Sequence, residues 1–139
     1  MLVYHGAAIG NLLRESFGDV ELYVTDTPER AVRYANAQAT WEVNPAMDQD
    51  LANGAAVLEI EVSESPSWSY RSENHLSLDQ CEATVREYAI KRIYVRFGTG
   101  NVSYGSNKRA NGFIGYRSPE QVREFFWMHG IEIVEVERD

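Results

Sequence analysis

The chain has 139 residues, of which 13 are Lys or Arg and 21 are Asp or Glu, and its formal net charge is -8. This length favours a single domain spanning residues 1–139, and a hydrophobic content of 44% argues against intrinsic disorder. The single cysteine excludes an internal disulfide framework. Because the sequence has neither a long apolar run nor a basic leader, we expect a soluble, cytoplasmic protein with no membrane partner.

The first half of the chain predicts alternating strands and helices. A strand over residues 2–5 ends at Gly6, and the apolar spacing of residues 7–17 is typical of a short helix. A second strand over 21–25 leads into Thr27-Pro28-Glu29, a strong helix start because Thr caps and Pro fits the first helical position. We expect this helix to reach Thr40, with one face formed by Ala31, Tyr34, Ala35 and Gln38. A loop should follow over residues 42–54.

The second half predicts more strand than helix. Residues 55–62 alternate as a strand, 63–76 read as a loop, and a capping pattern at 77–80 predicts a short helix toward Arg86. Residues 87–97 favour a strand, with a helix continuing to Tyr88 as the alternative, and 98–115 form a glycine-rich loop or hairpin. A helix from residue 118, with Gly130 as its stop, and a strand over 131–137 complete an α+β fold.

Charge is unevenly distributed along these elements. Residues 86–123 carry eight basic and two acidic side chains, whereas the segments on both sides are acidic. An acidic total argues against broad nucleic-acid binding, but the basic segment permits a local site for an anion.

Common catalytic and metal-binding motifs are absent from the sequence. There is no glycine-rich dinucleotide loop, no Walker loop, and no zinc-protease or serine-hydrolase signature. The histidines at positions 5, 75 and 129 lack metal-ligand spacing, so we expect no metal.

Two early segments carry the most informative pattern. Tyr4-His5-Gly6 lies at the end of the first predicted strand, and Tyr23 on the second strand precedes Tyr34 on the helix by eleven residues. With Glu87 opening a later strand, this order resembles the His-Tyr-Glu branch of the ADP-ribosyltransferase superfamily, which includes the poly(ADP-ribose) polymerases. The resemblance covers residues 4 to about 95. It implies a compact fold with a split antiparallel β-sheet core and an NAD+ cleft between the two sheets.

The resemblance assigns NAD+ as cosubstrate and implies cleavage of its nicotinamide–ribose bond through an oxocarbenium-like state. His5 and Gly6 are expected to contact the dinucleotide, and Tyr23 and Tyr34 to stack on the cationic nicotinamide. The catalytic residues it implies are Glu87, His5 and Tyr23. Two positions depart from the family pattern: Ala7 follows His-Gly, where Thr or Ser is usual, and the cofactor-facing helix position holds Ala31, where Ser is frequent.

A transferase of this kind needs an acceptor, and the resemblance implies a protein or a nucleic acid. The loop before Glu87 helps to select the target in the family, and here it contains Trp68, Tyr70 and Arg71. Lys108 and Arg109 lie in the glycine-rich loop and are further candidates. Toxins, phage effectors and modification enzymes all use such domains, and the sequence does not distinguish among them.

Three alternatives stay open. Glu59 or Glu61 can supply the catalytic carboxylate, since other branches of the superfamily use a Glu-x-Glu pair. Ala7 and Ala31 motivate a catalytically inactive member that binds a nucleotide or a protein. Basic side chains interleaved with aromatic ones over residues 86–117 predict a nucleic-acid-binding module.

Overall fold

A computed structural model of the chain describes residues 1–13, 21–40, 51–52, 54–72, 79–97 and 119–136. The predicted features at residues 14–17, 42–50, 77–78 and 98–115 lie outside these ranges. The described strands are β1 (Leu2–Ala8), β2 (Leu22–Val24), β3 (Ala55–Glu61), β4 (Ser69–Ser72), β5 (Asp79–Val85), β6 (Ala89–Val95) and β7 (Glu132–Glu135). The described helices are α1 (Ile9–Leu12), α2 (Pro28–Thr40) and α3 (Pro119–Met128).

The strands form two sheets. The first sheet has the order β1-β3-β6-β7, and the second has the order β2-β5-β4. Strand β7 runs parallel to β6, whereas the other pairings are antiparallel. The predicted α+β class is therefore confirmed, and the expected antiparallel pairing holds for every described strand pair except β6 and β7. The chain returns to the edge of the first sheet through α3, and this crossover lets β7 align with β6.

The two sheets meet at a single bridge among the described residues. The backbone N–H of Tyr4 donates to the carbonyl of Thr25 at 3.0 Å, and the N–H of Thr25 donates back at 2.7 Å. The Thr25 hydroxyl also donates to the carbonyl oxygen of Cys81, at 2.5 Å. Strands β1, β2 and β5 consequently converge at one place.

The main core contains residues from both sheets and from α3. Val3, Leu58 and Ile93 contribute from the first sheet, and Leu22 and Val85 from the second. Phe126 of α3 belongs to this cluster and is the largest of the fully buried side chains in the described part of the chain. Burial of such apolar side chains supplies most of the favourable free energy of folding.

Helix α2 packs on the first sheet through small residues. Ala31, Ala35 and Ala39 are buried against Ala8 and Ala55. A Cβ atom added at Gly6 on β1 would lie only 1.9 Å from the carbonyl oxygen of Ala31. Gly6 therefore permits the close approach of strand and helix.

Both long helices begin where the sequence predicted. The Thr27 hydroxyl accepts a hydrogen bond from the Arg30 N–H at 3.3 Å, so it caps α2 as expected. Helix α3 starts at Pro119, and Gly130 follows its end with φ +71°, which confirms the predicted stop. No helix in the described part of the chain is long and apolar enough to cross a membrane.

Several predicted boundaries differ from the structure. Strand β1 continues through Gly6 to Ala8, because its pairing with β3 continues to Ala55. The predicted loop 63–76 contains β4, and β5 occupies residues 79–85, where a helix was predicted. Buried residues at 81, 83 and 85 give β5 a period of two, and pairing with β2 and β4 satisfies its backbone on both edges.

Candidate functional site

His5 lies on β1 beside the bridge that joins the two sheets. Its Nδ1 atom is 2.5 Å from the carbonyl oxygen of Tyr23 on β2. Because a carbonyl oxygen only accepts hydrogen bonds, this contact assigns a proton to Nδ1, and in the neutral imidazole Nε2 keeps the lone pair. The first two predicted site residues are therefore neighbours, and the contact orients the imidazole.

Tyr23 carries its ring on the outer face of the second sheet. The residue is 68% exposed, whereas Leu22 and Val24 on either side are buried in the core. Tyr23 pairs with Thr84 of β5. Side chains two residues apart on a strand share a face, so Glu82 lies on the same face as Tyr23.

Tyr34 on α2 is affected by the charge of the same carboxylate. Burial raises the pKa of the Tyr34 hydroxyl, and the negative charge of Glu82 raises it further. Coulomb interactions act over several ångströms, so this effect needs no direct contact. The Glu82 charge on β5 thus acts on a partly buried tyrosine of α2.

His5, Tyr23, Tyr34 and Glu82 make up what we call the junction site; β1, β2 and β5 converge beside it, and α2 packs on β1. Aromatic faces suit a flat cationic ring, and a carboxylate stabilises positive charge that develops nearby. The imidazole offers a hydrogen bond to a polar ligand group. This combination is suited to a ligand that carries a cationic ring and hydroxyl groups.

Sequence reasoning missed Glu82 because a local capping pattern predicted a helix at that point. The alternation of residues 81–85 was the available signal. Cys81, Ala83 and Val85 are buried, and Glu82 and Thr84 occupy the outward positions between them. This alternation is typical of a strand with one buried face and one solvent-exposed face.

Glu87 occupies a different position from the other predicted site residues. Residues 86–87 form a bend, and β6 begins at Ala89, so the prediction that Glu87 opens a strand is wrong. The bend lies where the chain leaves β5 of the second sheet and enters β6 of the first sheet. Glu87 is exposed and follows Val85, which lies about 10 Å along β5 from Glu82 at 3.3 Å per residue.

Three small residues that were expected near the ligand lie inside the packing of β1 and α2. Gly6 is buried against α2, Ala31 is 0% exposed, and Ala7 is 1% exposed in the main core. Their observed contacts are between protein elements. Gly6 and Ala31 therefore act on the junction site by fixing the position of α2, which carries Tyr34.

The alternative carboxylates Glu59 and Glu61 are engaged within the first sheet. Glu59 lies 3.2 Å from Arg92 Nε and accepts a hydrogen bond from the Tyr94 hydroxyl at 3.3 Å. It pairs with Tyr4, whose side chain points to the opposite face of β1 from that of His5. Glu61 accepts a hydrogen bond from the Met1 amino group at 3.0 Å. Neither carboxylate belongs to the junction site.

The residues predicted to recognise the acceptor are only partly described. Trp68 is half-buried against the main core. Tyr70 and Arg71 lie on β4, where they pair with Cys81 and Gln80 of β5. Ser69 pairs with Glu82, so this segment adjoins the strand of the proposed carboxylate. Lys108 and Arg109 lie outside the described residues.

The described part of the basic segment is largely engaged in intramolecular contacts. Arg86 pairs with Glu21 at 3.3 Å, and Arg92 pairs with Glu59. Arg96 is 7% exposed and donates a hydrogen bond to the carbonyl of Leu51 at 2.9 Å. Residues 86–97 therefore present less available positive charge than their composition suggests.

A separate apolar groove lies between α3 and β7. Its volume is about 590 Å³, and its lining residues are Arg123, Glu124, Trp127, Ile131, Glu132, Ile133 and Glu135. Strand β7 is at the opposite edge of the first sheet from β1. The groove therefore lies at one edge of the first sheet, and the junction site lies at the other edge.

Within the described ranges, no group of three or more His, Cys, Asp or Glu side chains is arranged to hold a metal ion. Comparisons of the chain with protein-family models, with curated proteins and with solved structures gave no match. The functional interpretation therefore rests on the residues of the junction site.

Proposed function

We propose that the protein transfers ADP-ribose from NAD+ to a macromolecular acceptor, with Glu82 as the catalytic carboxylate. The supporting observation is the junction site itself. His5 is hydrogen-bonded to the backbone of Tyr23, Glu82 shares a strand face with Tyr23, and the Glu82 charge acts on Tyr34. A hydrogen bond thus links the histidine to one tyrosine, and the charge of the glutamate acts on the other.

The arrangement of the two sheets supports the finer assignment of the fold. The resemblance implies a split sheet with the cleft between its halves. The two sheets are joined by one bridge among the described residues, at Tyr4 and Thr25, which agrees with that arrangement, and His5 lies beside the bridge. We therefore propose an ADP-ribosyltransferase-like fold.

In this proposal the nicotinamide ring binds between Tyr23 and Tyr34. The exposed ring of Tyr23 and the partly buried ring of Tyr34 offer aromatic faces to the cation. His5, oriented by the Tyr23 carbonyl, hydrogen-bonds a ribose hydroxyl. Glu82 accepts a hydrogen bond from the hydroxyl next to the reacting ribose carbon.

The reaction breaks one bond and forms one bond. The pair of electrons in the bond between the ribose carbon and the nicotinamide nitrogen leaves with the ring, which becomes neutral. Positive charge then develops on the ribose carbon, and the Glu82 carboxylate stabilises it. A nucleophilic O, N or S atom of the acceptor attacks this carbon, and its proton passes to solvent.

The burial of Ala7 and Ala31 weakens the main reason for expecting a catalytically inactive protein. Ala7 and Ala31 were interpreted as lost hydroxyl contacts with the ligand. Both are almost completely buried, Ala7 in the main core and Ala31 against Gly6. A hydroxyl at either position would need a partner inside the protein, so alanine here is explained by packing.

Nicotinamide release from labelled NAD+ tests the proposed function. Wild type is incubated with NAD+ in the presence of protein acceptors, nucleic-acid acceptors or water alone. We expect release by wild type and a loss of roughly 10²- to 10³-fold in rate for Glu82→Gln, because the neutral amide cannot stabilise the developing cation.

Glu87→Gln is the matched control, since it makes the same chemical change about five residues away on the chain. Its rate should stay within about twofold of wild type. Absence of nicotinamide release by wild type with every acceptor would overturn the proposed function. A loss confined to Glu87→Gln would instead identify Glu87 as the carboxylate.

A further inference from the structure

Arg33 on α2 has a buried guanidinium N–H group for which the described residues provide no hydrogen-bond acceptor. The residue immediately precedes Tyr34 and is partly buried. The buried N–H group is that of its Nε atom. A buried N–H of a guanidinium group that lacks an acceptor is costly, so an acceptor from a ligand would be favourable at this position.

The neighbouring Arg30 also has a buried Nε, and it differs from Arg33 in its ion pairing. The Arg30 guanidinium forms an ion pair with Asp26 at 2.5 Å, at the start of α2. Both guanidinium groups are close enough to act on the Tyr34 hydroxyl, where their positive charge opposes the effect of Glu82. The charges that act on Tyr34 therefore include a carboxylate on β5 and, next to Tyr34 on α2, an arginine for which the described residues provide no ion pair.

We propose that Arg33 binds the pyrophosphate of the dinucleotide; this inference rests on the proposed function. NAD+ carries opposite charges in two regions. The nicotinamide, which reacts, is cationic, and the pyrophosphate, which does not react, is anionic. Glu82 and the tyrosine rings suit the first, and Arg33 suits the second. The arrangement of charges then fixes the direction in which the dinucleotide lies across the site.

An arginine is the appropriate side chain for this role. Its planar guanidinium donates two parallel hydrogen bonds to phosphate oxygens, and these charge-assisted bonds are stronger than neutral ones. The contact concerns binding and orientation, so Arg33 is a positioning residue. Removal of the Arg33 guanidinium should therefore weaken the binding of a ligand that carries phosphate groups and leave the binding of a phosphate-free ligand unchanged.

The test measures the dissociation constants of two ligands for wild type and Arg33→Ala. The ligands are NAD+, measured by calorimetry, and nicotinamide riboside, which lacks phosphate and is measured by ligand-observed NMR. We expect Arg33→Ala to weaken NAD+ binding by about ten- to a hundredfold, because a hydrogen bond to a charged group contributes one to two decades of affinity. Binding of nicotinamide riboside should change by less than about twofold.

Arg33→Lys keeps the charge without the planar fork and should restore part of the NAD+ affinity. Arg86→Ala removes an exposed arginine on the bend after β5 and should leave both constants unchanged. Unfolding midpoints of all variants show whether the fold is intact. An intact Arg33→Ala that binds NAD+ as wild type does, or loses affinity for both ligands equally, would overturn the inference.

Two further outcomes separate this inference from the proposed function. If wild type binds nicotinamide riboside and NAD+ equally well, the pyrophosphate has no binding group and the inference on Arg33 is wrong, whereas the proposed function stands. If wild type binds neither ligand and releases no nicotinamide, the proposed function fails, and the inference fails with it.

Discussion

Helices α2 and α3 pack on the protein in different ways. Helix α2 lies against β1 through Ala31 and Gly6, and its distance is set by backbone atoms in contact. Helix α3 inserts Phe126 into the main core, and its position is set by the volume of that side chain. Helix α2 therefore fixes the position of Tyr34, whereas α3 contributes chiefly to stability.

Removing the large side chain of α3 should produce the largest loss of stability. Phe126→Ala is expected to lower the free energy of unfolding by about 3–5 kcal/mol, because it leaves a cavity in the fully buried core. Chemical denaturation measures this change. At a temperature where the variant remains folded, its NAD+ affinity should equal that of wild type, and a weakened affinity would contradict the division between the two helices.

Filling the contact between α2 and β1 should have a smaller effect on stability but a direct effect on the site. Gly6→Ala places a methyl group against the Ala31 carbonyl oxygen, which cannot rotate away as a side chain can. We expect a loss of about 1–3 kcal/mol and weaker NAD+ binding, because α2 must move and Tyr34 moves with it. Thermal unfolding and calorimetry measure the two effects.

Gly130 after α3 provides the matched control for Gly6. Alanine at Gly130 meets no atom within 4 Å, but the residue has φ +71°. The left-handed conformation costs an L-residue about 1–2 kcal/mol. Gly130→Ala should therefore reduce stability while leaving NAD+ affinity unchanged. Similar weakening of binding by both variants would show that lower stability alone accounts for the Gly6 effect.

The contrast between local and distant interactions explains which features the sequence could predict. Helix starts and stops depend on residues that are adjacent in the sequence, as at Thr27, Pro28 and Gly130. The helix boundaries that these residues predict are confirmed. The spacing of Tyr23 and Tyr34 follows from one strand, one turn and one helix in succession. The strand that carries Tyr23 and the helix that carries Tyr34 could therefore be placed in order from the sequence alone.

Glu82 and Gly6 required information that the local sequence lacks. The pairing of β5 between β2 and β4 overrode a helix-capping pattern, and this pairing places Glu82 in the junction site. The sequence predicts that Gly6 contacts the dinucleotide, but the tight contact that the structure shows is with Ala31, more than twenty residues away. Strand register and the approach of distant elements depend on the whole fold.

A weaker test of α2 concerns the ion pair at its start. Burial raises the pKa of the Asp26 carboxyl, but the hydrogen bond and charge of Arg30 outweigh this, and the net pKa is lowered. Asp26 therefore stabilises the fold above its unfolded pKa of about 3.9, and the contribution is lost as the pH falls through the lower folded value. Asp26→Asn should cost about 0.3–0.5 kcal/mol near neutral pH.

Unfolding of wild type and Asp26→Asn as a function of pH measures this contribution. The difference in free energy should be constant from neutral pH down to about 5 and should vanish in stronger acid. A difference that instead grew on acidification would show that Asp26 is not held in its charged form by Arg30.

The smallest expected effect is a titration shift within the junction site, and it identifies the glutamate whose charge acts on Tyr34 without any ligand. Burial and the charge of Glu82 raise the pKa of the Tyr34 hydroxyl. Glu82→Gln removes that charge, so the pKa of Tyr34 should fall toward its ordinary value, although burial will keep it above that value. Glu87→Gln should leave it unchanged, because Glu87 is exposed on the bend beyond β5. NMR titration of ring-labelled tyrosine, assigned with Tyr34→Phe, measures both variants, and an equal shift in the two would remove the reason for preferring Glu82 over Glu87.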